Sequence, residues 1–146
     1  MGKITSKAAI TIYKPIDEVF EAIINPEIMS QYFISKGSGR LEQGKEVMWE
    51  FPEFDGSYPV QIKEIIPNQL IILDWDPNSI VKIELEEDRN KNTTVRVSEE
   101  GYQADEKVIK WAIGQTEGWG NFLSCMKAWL EYGIHLRKGA FDYMLK

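Results

Sequence analysis

The sequence predicts an α+β fold, with one curved antiparallel sheet of about six or seven strands wrapped on a long C-terminal helix. Two short helices are expected after the first strand. Three observations carry this expectation. The chain opens with a short alternating segment followed by helical spacing, residues 37–101 read as strands separated by turns, and the last third returns to helical spacing.

The first strand is read from Ala8, Ile10 and Ile12, which share one face, with Lys7, Thr11 and Tyr13 between or beyond them. Pro15 sits where a helix can begin, and Ile16, Val19, Phe20 and Ile23 fall on one helical face. Asn25-Pro26 breaks that helix, and Ile28, Met29 and Tyr32 form a second short turn. In the middle region Val47, Trp49 and Phe51 alternate with Glu46, Met48 and Glu50, Tyr58, Val60 and Ile62 with Gln61 and Lys63, and Val81, Ile83 and Leu85 with Lys82, Glu84 and Glu86. Pro67-Asn68, Asp76-Pro77-Asn78 and Asp88 to Asn92 are read as turns, the last leading into a strand over Thr93 to Glu99. Asp105 is placed as the cap of a short helix carrying Val108, Ile109 and Ala112, weakened by Gly114. Thr116 then caps the main helix, with a stripe of Trp119, Phe122, Leu123, Met126, Leu130 and Ile134 and a stop at Gly139. A sheet with one apolar face needs a cover, and this helix is the largest element available, so a space between the two is expected.

No repeat or linker interrupts the 146 residues, so one domain over 1–146 is expected, large enough to bury a core without a staple. The net charge of −6 argues against nucleic acid, because phosphate binding needs a basic stripe and the densest basic cluster, Arg89 to Lys91, sits at a hairpin tip. A single cysteine, Cys125, cannot form an internal disulfide and fits a reducing, cytoplasmic setting. The longest aliphatic run, Leu70 to Leu73, is far short of the roughly 20 residues that span a bilayer, so no membrane partner is expected. Met1, Gly2 and Ser6 match the N-myristoylation pattern, but so permissive a pattern is read here as a short lead into the first strand.

Catalytic and metal chemistry find little support. His135 and Cys125, if on one helix, stand about 15 Å apart along its axis and cannot share a proton. One histidine and no paired cysteines are a thin basis for zinc, and no cofactor is expected. Gly37-Ser38-Gly39 and Gly118-Trp119-Gly120 lack the rest of any phosphate-binding motif and read as turns or close helix–sheet contacts. Glu86-Glu87-Asp88 and Glu99-Glu100 are read as solvated residues near strand ends. Asp74 lies between Leu73 and Trp75 in an apolar strand. Alternation turns it outward, and only an inward Asp74, or Tyr58, would offer an acid or base.

The chain resembles the family of activators of the heat-shock protein 90 ATPase, within the START-like, polyketide-cyclase-like (SRPBCC) superfamily. The resemblance runs from about Ile10 to Tyr132. It rests on Pro15 with its helix, Asn25-Pro26-Glu27 followed by Tyr32-Phe33, and the block from Val60 through Pro67-Asn68-Gln69-Leu70 to Asp74-Trp75. Thr93 to Val97 with Gly101-Tyr102, and Gly118-Trp119 with Leu123 and Leu130, complete it. Tyr32 stands where Trp is commoner, and the stretch from Val108 to Gln115 fits a bacterial subgroup. The resemblance implies a helix-grip (START-like) fold. It also implies one of three roles, namely a stress-related binder of a lipid or a planar polyketide- or flavonoid-like compound, a cochaperone, or a cyclase- or dehydratase-type enzyme. We expect the first, without catalysis. Trp49, Phe51, Tyr58, Trp75, Trp119, Phe122 and Met126 are the expected ligand-binding residues, and entry is expected near the short helices and the Phe51 to Tyr58 loop, which carries Phe54.

Overall fold

The computed structural model describes residues 3–75, 79–103 and 105–145, with the backbone alone for 102 and 103. The turn expected at Asp76-Pro77-Asn78 lies outside the described residues.

Strand β1 (Lys3–Ile12) leads to helix α1 (Ile16–Ile24) and the single turn α2 (Pro26–Met29). The short strand β2 (Lys36–Gly37) precedes β3 (Glu46–Glu50), β4 (Tyr58–Ile66), β5 (Leu70–Asp74), β6 (Ile80–Glu87) and β7 (Thr93–Gln103). Helix α3 (Glu106–Tyr132) and a 3-10 turn (Asp142–Met144) complete the order. The strands form one antiparallel sheet of seven in the order β1-β7-β6-β5-β4-β3-β2, so the first strand closes onto the last.

Most apolar strand positions face one side of the sheet, while Ile66 and Ile80 are exposed. Ile12, Val47, Trp49, Val60, Ile62, Val81, Ile83, Val95 and Val97 are all buried. In β4 a bulge between Ile62 and Glu64 shifts the register by one residue, so Ile65 rather than Glu64 packs on the core. Asn68 and Lys91 take left-handed φ at the β4–β5 and β6–β7 turns, a conformation that asparagine tolerates better than most residues.

The short helices are fixed from inside. In α1, Val19, Phe20, Ala22 and Ile23 are buried. The Asn25 side chain accepts from the Glu27 N–H at 2.9 Å and caps α2, with Pro26 following it. The buried Tyr32 hydroxyl donates to the Ala22 carbonyl at 2.9 Å, tying the turn after α2 back to α1. Burial pushes its phenol pKa well above the ordinary value.

Helix α3 corrects the sequence reading in three places. The Asp105 carboxylate does accept from the Val108 N–H at 2.9 Å, yet the helix it caps runs on for 27 residues without a break. Thr116 is therefore no cap, and its hydroxyl donates back to the Ala112 carbonyl at 2.7 Å. A glycine inside a helix costs only about 1 kcal/mol. Gly114 is carried by anchors on either side of it, Val108 and Ala112 before and Trp119 onward after. The buried Ser6 hydroxyl adds to this by donating from β1 to the Ala112 carbonyl at 2.8 Å. The helix stops at Gly133, not Gly139. Gly133 has φ +65°, its N–H bonds the Trp129 carbonyl, and the Ile134 N–H reaches Ala128. Ile134 consequently lies beyond the stripe and is exposed, and His135 lies past the helix that carries Cys125.

The stripe of Trp119, Phe122, Leu123 and Met126 is buried. Burying each such side chain contributes roughly 1.5–3 kcal/mol, which seats the helix against the sheet. Its C-terminal end is also pinned to β1. The Lys127 ammonium donates to the Thr11 carbonyl and to Glu131, and Glu131 accepts from the Tyr13 N–H.

Candidate functional site

Between the sheet and the first half of α3 lies a partly open chamber of about 510 Å³. That size is within the range typical of small-molecule pockets. Its wall is mainly aromatic. Phe33 comes from the segment after α2, Phe51 and Phe54 from the loop between β3 and β4, Tyr58 from the start of β4, and Trp75 from just past β5. Helix α3 supplies Trp111, Gln115, Gly118 and Trp119, and β7 supplies Glu99.

The indoles of Trp75 and Trp119 are stacked, with centroids 5.2 Å apart and planes inclined by 18°. Phe33 packs edge-on against Phe51 at 5.3 Å and Phe122 at 4.7 Å. At the mouth, Phe51, Phe54 and Tyr58 lie within 6.1–6.5 Å of one another. Phe54 is 50% exposed and Tyr58 40%. Gly56, with φ +84°, makes the turn that brings them together.

Glu99 is the polar centre of this wall and corrects the expectation that it is solvated: it is 1% exposed. One carboxylate oxygen accepts from Gln115 Nε2 at 2.7 Å and Trp119 Nε1 at 3.0 Å. The other accepts from Trp75 Nε1 at 2.9 Å and Ser79 Oγ at 2.8 Å. Four neutral donors thus saturate the roughly four acceptor positions of the carboxylate. In β7 the side chains of Val95, Val97 and Glu99 share one face, so the strand that builds the core also carries this acid inward.

Of the expected site residues, Phe51, Tyr58, Trp75 and Trp119 line the chamber. Phe122 lines an adjoining cavity of about 150 Å³, together with Cys125, Glu53, Arg137, Phe141 and Met144. Trp49 and Met126 are buried in the core behind these walls, where their contribution is packing. Phe33, Glu99, Trp111, Gln115 and Gly118 were not anticipated. Gly118 is neither a turn nor a close contact, because a Cβ added there would meet nothing within 4 Å. Asp74 faces away from the chamber and pairs with Lys63 at 3.5 Å.

The adjoining cavity is closed by the segment after α3. The Arg137 guanidinium grips Glu53 with two parallel bonds of 2.9 and 2.5 Å and lies 4.6 Å from the Phe141 ring. Both side chains of the pair are largely buried. The arginine holds the Glu53 carboxyl below its ordinary pKa, and burial raises that of the Cys125 thiol. His135 packs on Trp129 at 4.4 Å. Among the described residues no group of three or more His, Cys, Asp or Glu side chains could hold a metal ion, and no helix is long and apolar enough to cross a membrane.

Sheet, gripping helix and aromatic chamber define a helix-grip protein. Residues 14–131 match the family described as Activator of Hsp90 ATPase homolog 1-like protein, and the chain belongs to that family. Among solved structures it is similar to the protein SSP2350 from Staphylococcus saprophyticus, at 32% identity and a TM-score of 0.82 over 92% of this chain and 96% of that one. The Aha1 dimer from Colwellia psychrerythraea shares the fold at 18% identity and a TM-score of 0.76, over 89% and 98% of the two chains. DynU16, from the dynemicin biosynthetic locus, shares it at 20% identity and a TM-score of 0.78, over 88% of this chain and 48% of that one. No curated protein matches the sequence.

Proposed function

We propose that this protein binds a small molecule with a flat, apolar body in the chamber between sheet and helix, without catalysing a reaction on it. The observation that carries this reading is a ring-walled space of about 510 Å³ with one buried carboxylate in its wall. A closed core would fill such a space, because an empty volume forfeits the contacts of its lining. Binding would come from desolvating the ligand against the rings, with Phe54 and Tyr58 at the entrance. Phe51, Tyr58, Trp75 and Trp119 are the contact residues we propose, with Phe122 reached from the adjoining cavity.

Catalysis is the weaker reading. Asp74 is engaged by Lys63, the Tyr58 hydroxyl donates to the Asp55 carbonyl at 3.3 Å, and the acceptor positions of Glu99 are filled. A cochaperone role draws on the family alone. It predicts stimulation of a chaperone ATPase, and a flat ATPase assay would remove it. A cytoplasmic, stress-related carrier or sensor is the setting we favour.

The test is intrinsic Trp fluorescence during titration with fatty acids, sterols and flavonoid-like aromatics. Trp75 and Trp119 line the chamber, so an occupant should quench them saturably. Gly118→Leu should abolish the response in folded protein by filling the space. A flat response across the panel from folded wild type would overturn the reading.

A further inference from the structure

The geometry points to an organic cation as the occupant of the chamber, a planar apolar body carrying a quaternary or delocalised positive charge held near Glu99. This rests on the binding reading above and narrows it to a ligand class.

The first argument concerns uncompensated charge. Glu99 is 1% exposed, and its four partners are two indole N–H groups, an amide and a hydroxyl, all neutral. An indole N–H can only donate, so this donor set suits an ionised carboxylate. Hydrogen bonds solvate that charge but do not cancel it, and a buried charge is ordinarily paired with an opposite one. Among the described residues, none of the ion pairs found involves Glu99, and no Lys, Arg or His lines the chamber.

The second argument concerns the rings. Aromatic faces carry negative potential and attract cations, tryptophan most strongly. Trp75 and Trp119 are stacked and aim both N–H groups at the same carboxylate, so the anion reinforces the negative potential of the wall they form. Phe33, Phe51 and Tyr58 extend that wall toward the mouth. The net charge of −6 adds a longer-range attraction of the same sign.

The third argument fixes the kind of cation. With its acceptor positions already taken, Glu99 has no lone pair to spare for a new donor. A neutral ligand with an N–H or O–H must displace Gln115, Ser79 or an indole to gain anything there, and an anion is repelled. A quaternary or delocalised cation needs no hydrogen bond. It gains from the carboxylate and the rings through space, while the existing bonds stay intact.

The experiment compares three tricyclic probes of nearly equal size, namely 10-methylacridinium, acridine at mildly alkaline pH where it is neutral, and anionic 9-anthroate. Affinities are measured by Trp quenching and equilibrium dialysis. The expected order places 10-methylacridinium at least about tenfold tighter than acridine, a difference of about 1.4 kcal/mol, with 9-anthroate weakest. In folded Glu99→Gln protein the cation-to-neutral ratio should fall severalfold, leaving only the share owed to the rings. Gln115→Leu removes a donor that screens the carboxylate while leaving its charge, and should widen the cation-to-neutral ratio severalfold. That variant decides the matter if Glu99→Gln does not fold. Acridine or 9-anthroate binding wild type as tightly as the cation would overturn the charge preference and leave the chamber as a binding site. A preference undiminished in folded Glu99→Gln, or a ratio unmoved by Gln115→Leu, would also overturn it. If none of the three probes and none of the lipid and flavonoid panel binds, the binding reading itself falls, and the preference with it.

Discussion

At the scale of single residues, Glu99 ties β7 to three other places in the chain, because its donors sit just past β5, just before β6, and on α3. Replacing it with leucine removes a buried charge but strands two indole N–H groups, an amide and a hydroxyl. An unmade buried bond costs about 1–3 kcal/mol, and water entering the open chamber can satisfy only some of the four. Glu99→Leu should therefore lose about 2–4 kcal/mol in urea unfolding, against about 1 kcal/mol for Ser79→Ala, which leaves three donors in place. A loss no larger than that of Ser79→Ala would mean that the carboxylate does little to hold these elements. Gly101, two residues further along β7, has a different constraint, since a Cβ there would stand 2.6 Å from Trp111 Cη2. Gly101→Ala should displace that ring, cost about 1–3 kcal/mol and shift the tryptophan emission. Both positions were legible in principle. Residues 95, 97, 99 and 101 have one parity, and parity alone sends Glu99 inward with the valines. What hid it was the general tendency of acids near strand ends to be solvated.

At the scale of elements, α3 serves two purposes along its length, and its glycines mark the division. Its C-terminal half is the packing stripe, which the spacing of Trp119, Phe122, Leu123 and Met126 makes plain. Its N-terminal half roofs the chamber, where the apolar period thins to Val108 and Ala112, and periodicity cannot show that the two halves are one helix. Gly114 and Gly118 both face open space. Both are exposed, but only Gly118 also borders the chamber. Gly114→Ala should stabilise the protein by about 0.5–1 kcal/mol through the unfolded chain's lost freedom, leaving ligand affinity unchanged. Gly118→Ala should stabilise it by a similar amount yet weaken binding, because its methyl takes up chamber volume. Thermal unfolding and the fluorescence titration, run on both variants, separate the two effects. Equal affinities for the two would count against a ligand lying beneath the helix.

At the scale of the whole molecule, the sheet and its helix follow from alternation and helical spacing, which record burial directly. The segment beyond Gly133 has neither period, so nothing local in the sequence announces that it returns to the loop between β3 and β4. Its contacts include one tertiary ion pair, Arg137 with Glu53, which is bidentate and mostly shielded from water. The arginine holds the Glu53 carboxyl below its ordinary value of 4.5, so in the folded state the proton is bound less readily than in the unfolded chain. A lowered carboxyl pKa contributes stability that is complete above the ordinary value and disappears as pH falls through the folded one. The clasp should therefore hold from neutrality down to about pH 5, and weaken progressively below 4.5. Global unfolding is a poor readout, since Glu21 and Glu131 also have lowered values and lose their partners in the same range. Local protection is the better one. Amides of residues 134–145 should lose hydrogen-exchange protection on acidification before those of β6 and β7 do. Glu53→Gln should give the same loss at neutral pH, by an amount corresponding to about 1–3 kcal/mol for a charge-assisted pair, and show little further change as pH falls. Protection of that segment indifferent both to pH and to Glu53→Gln would mean that Phe141 and Met144, packed over the adjoining cavity, hold it in place without the ion pair.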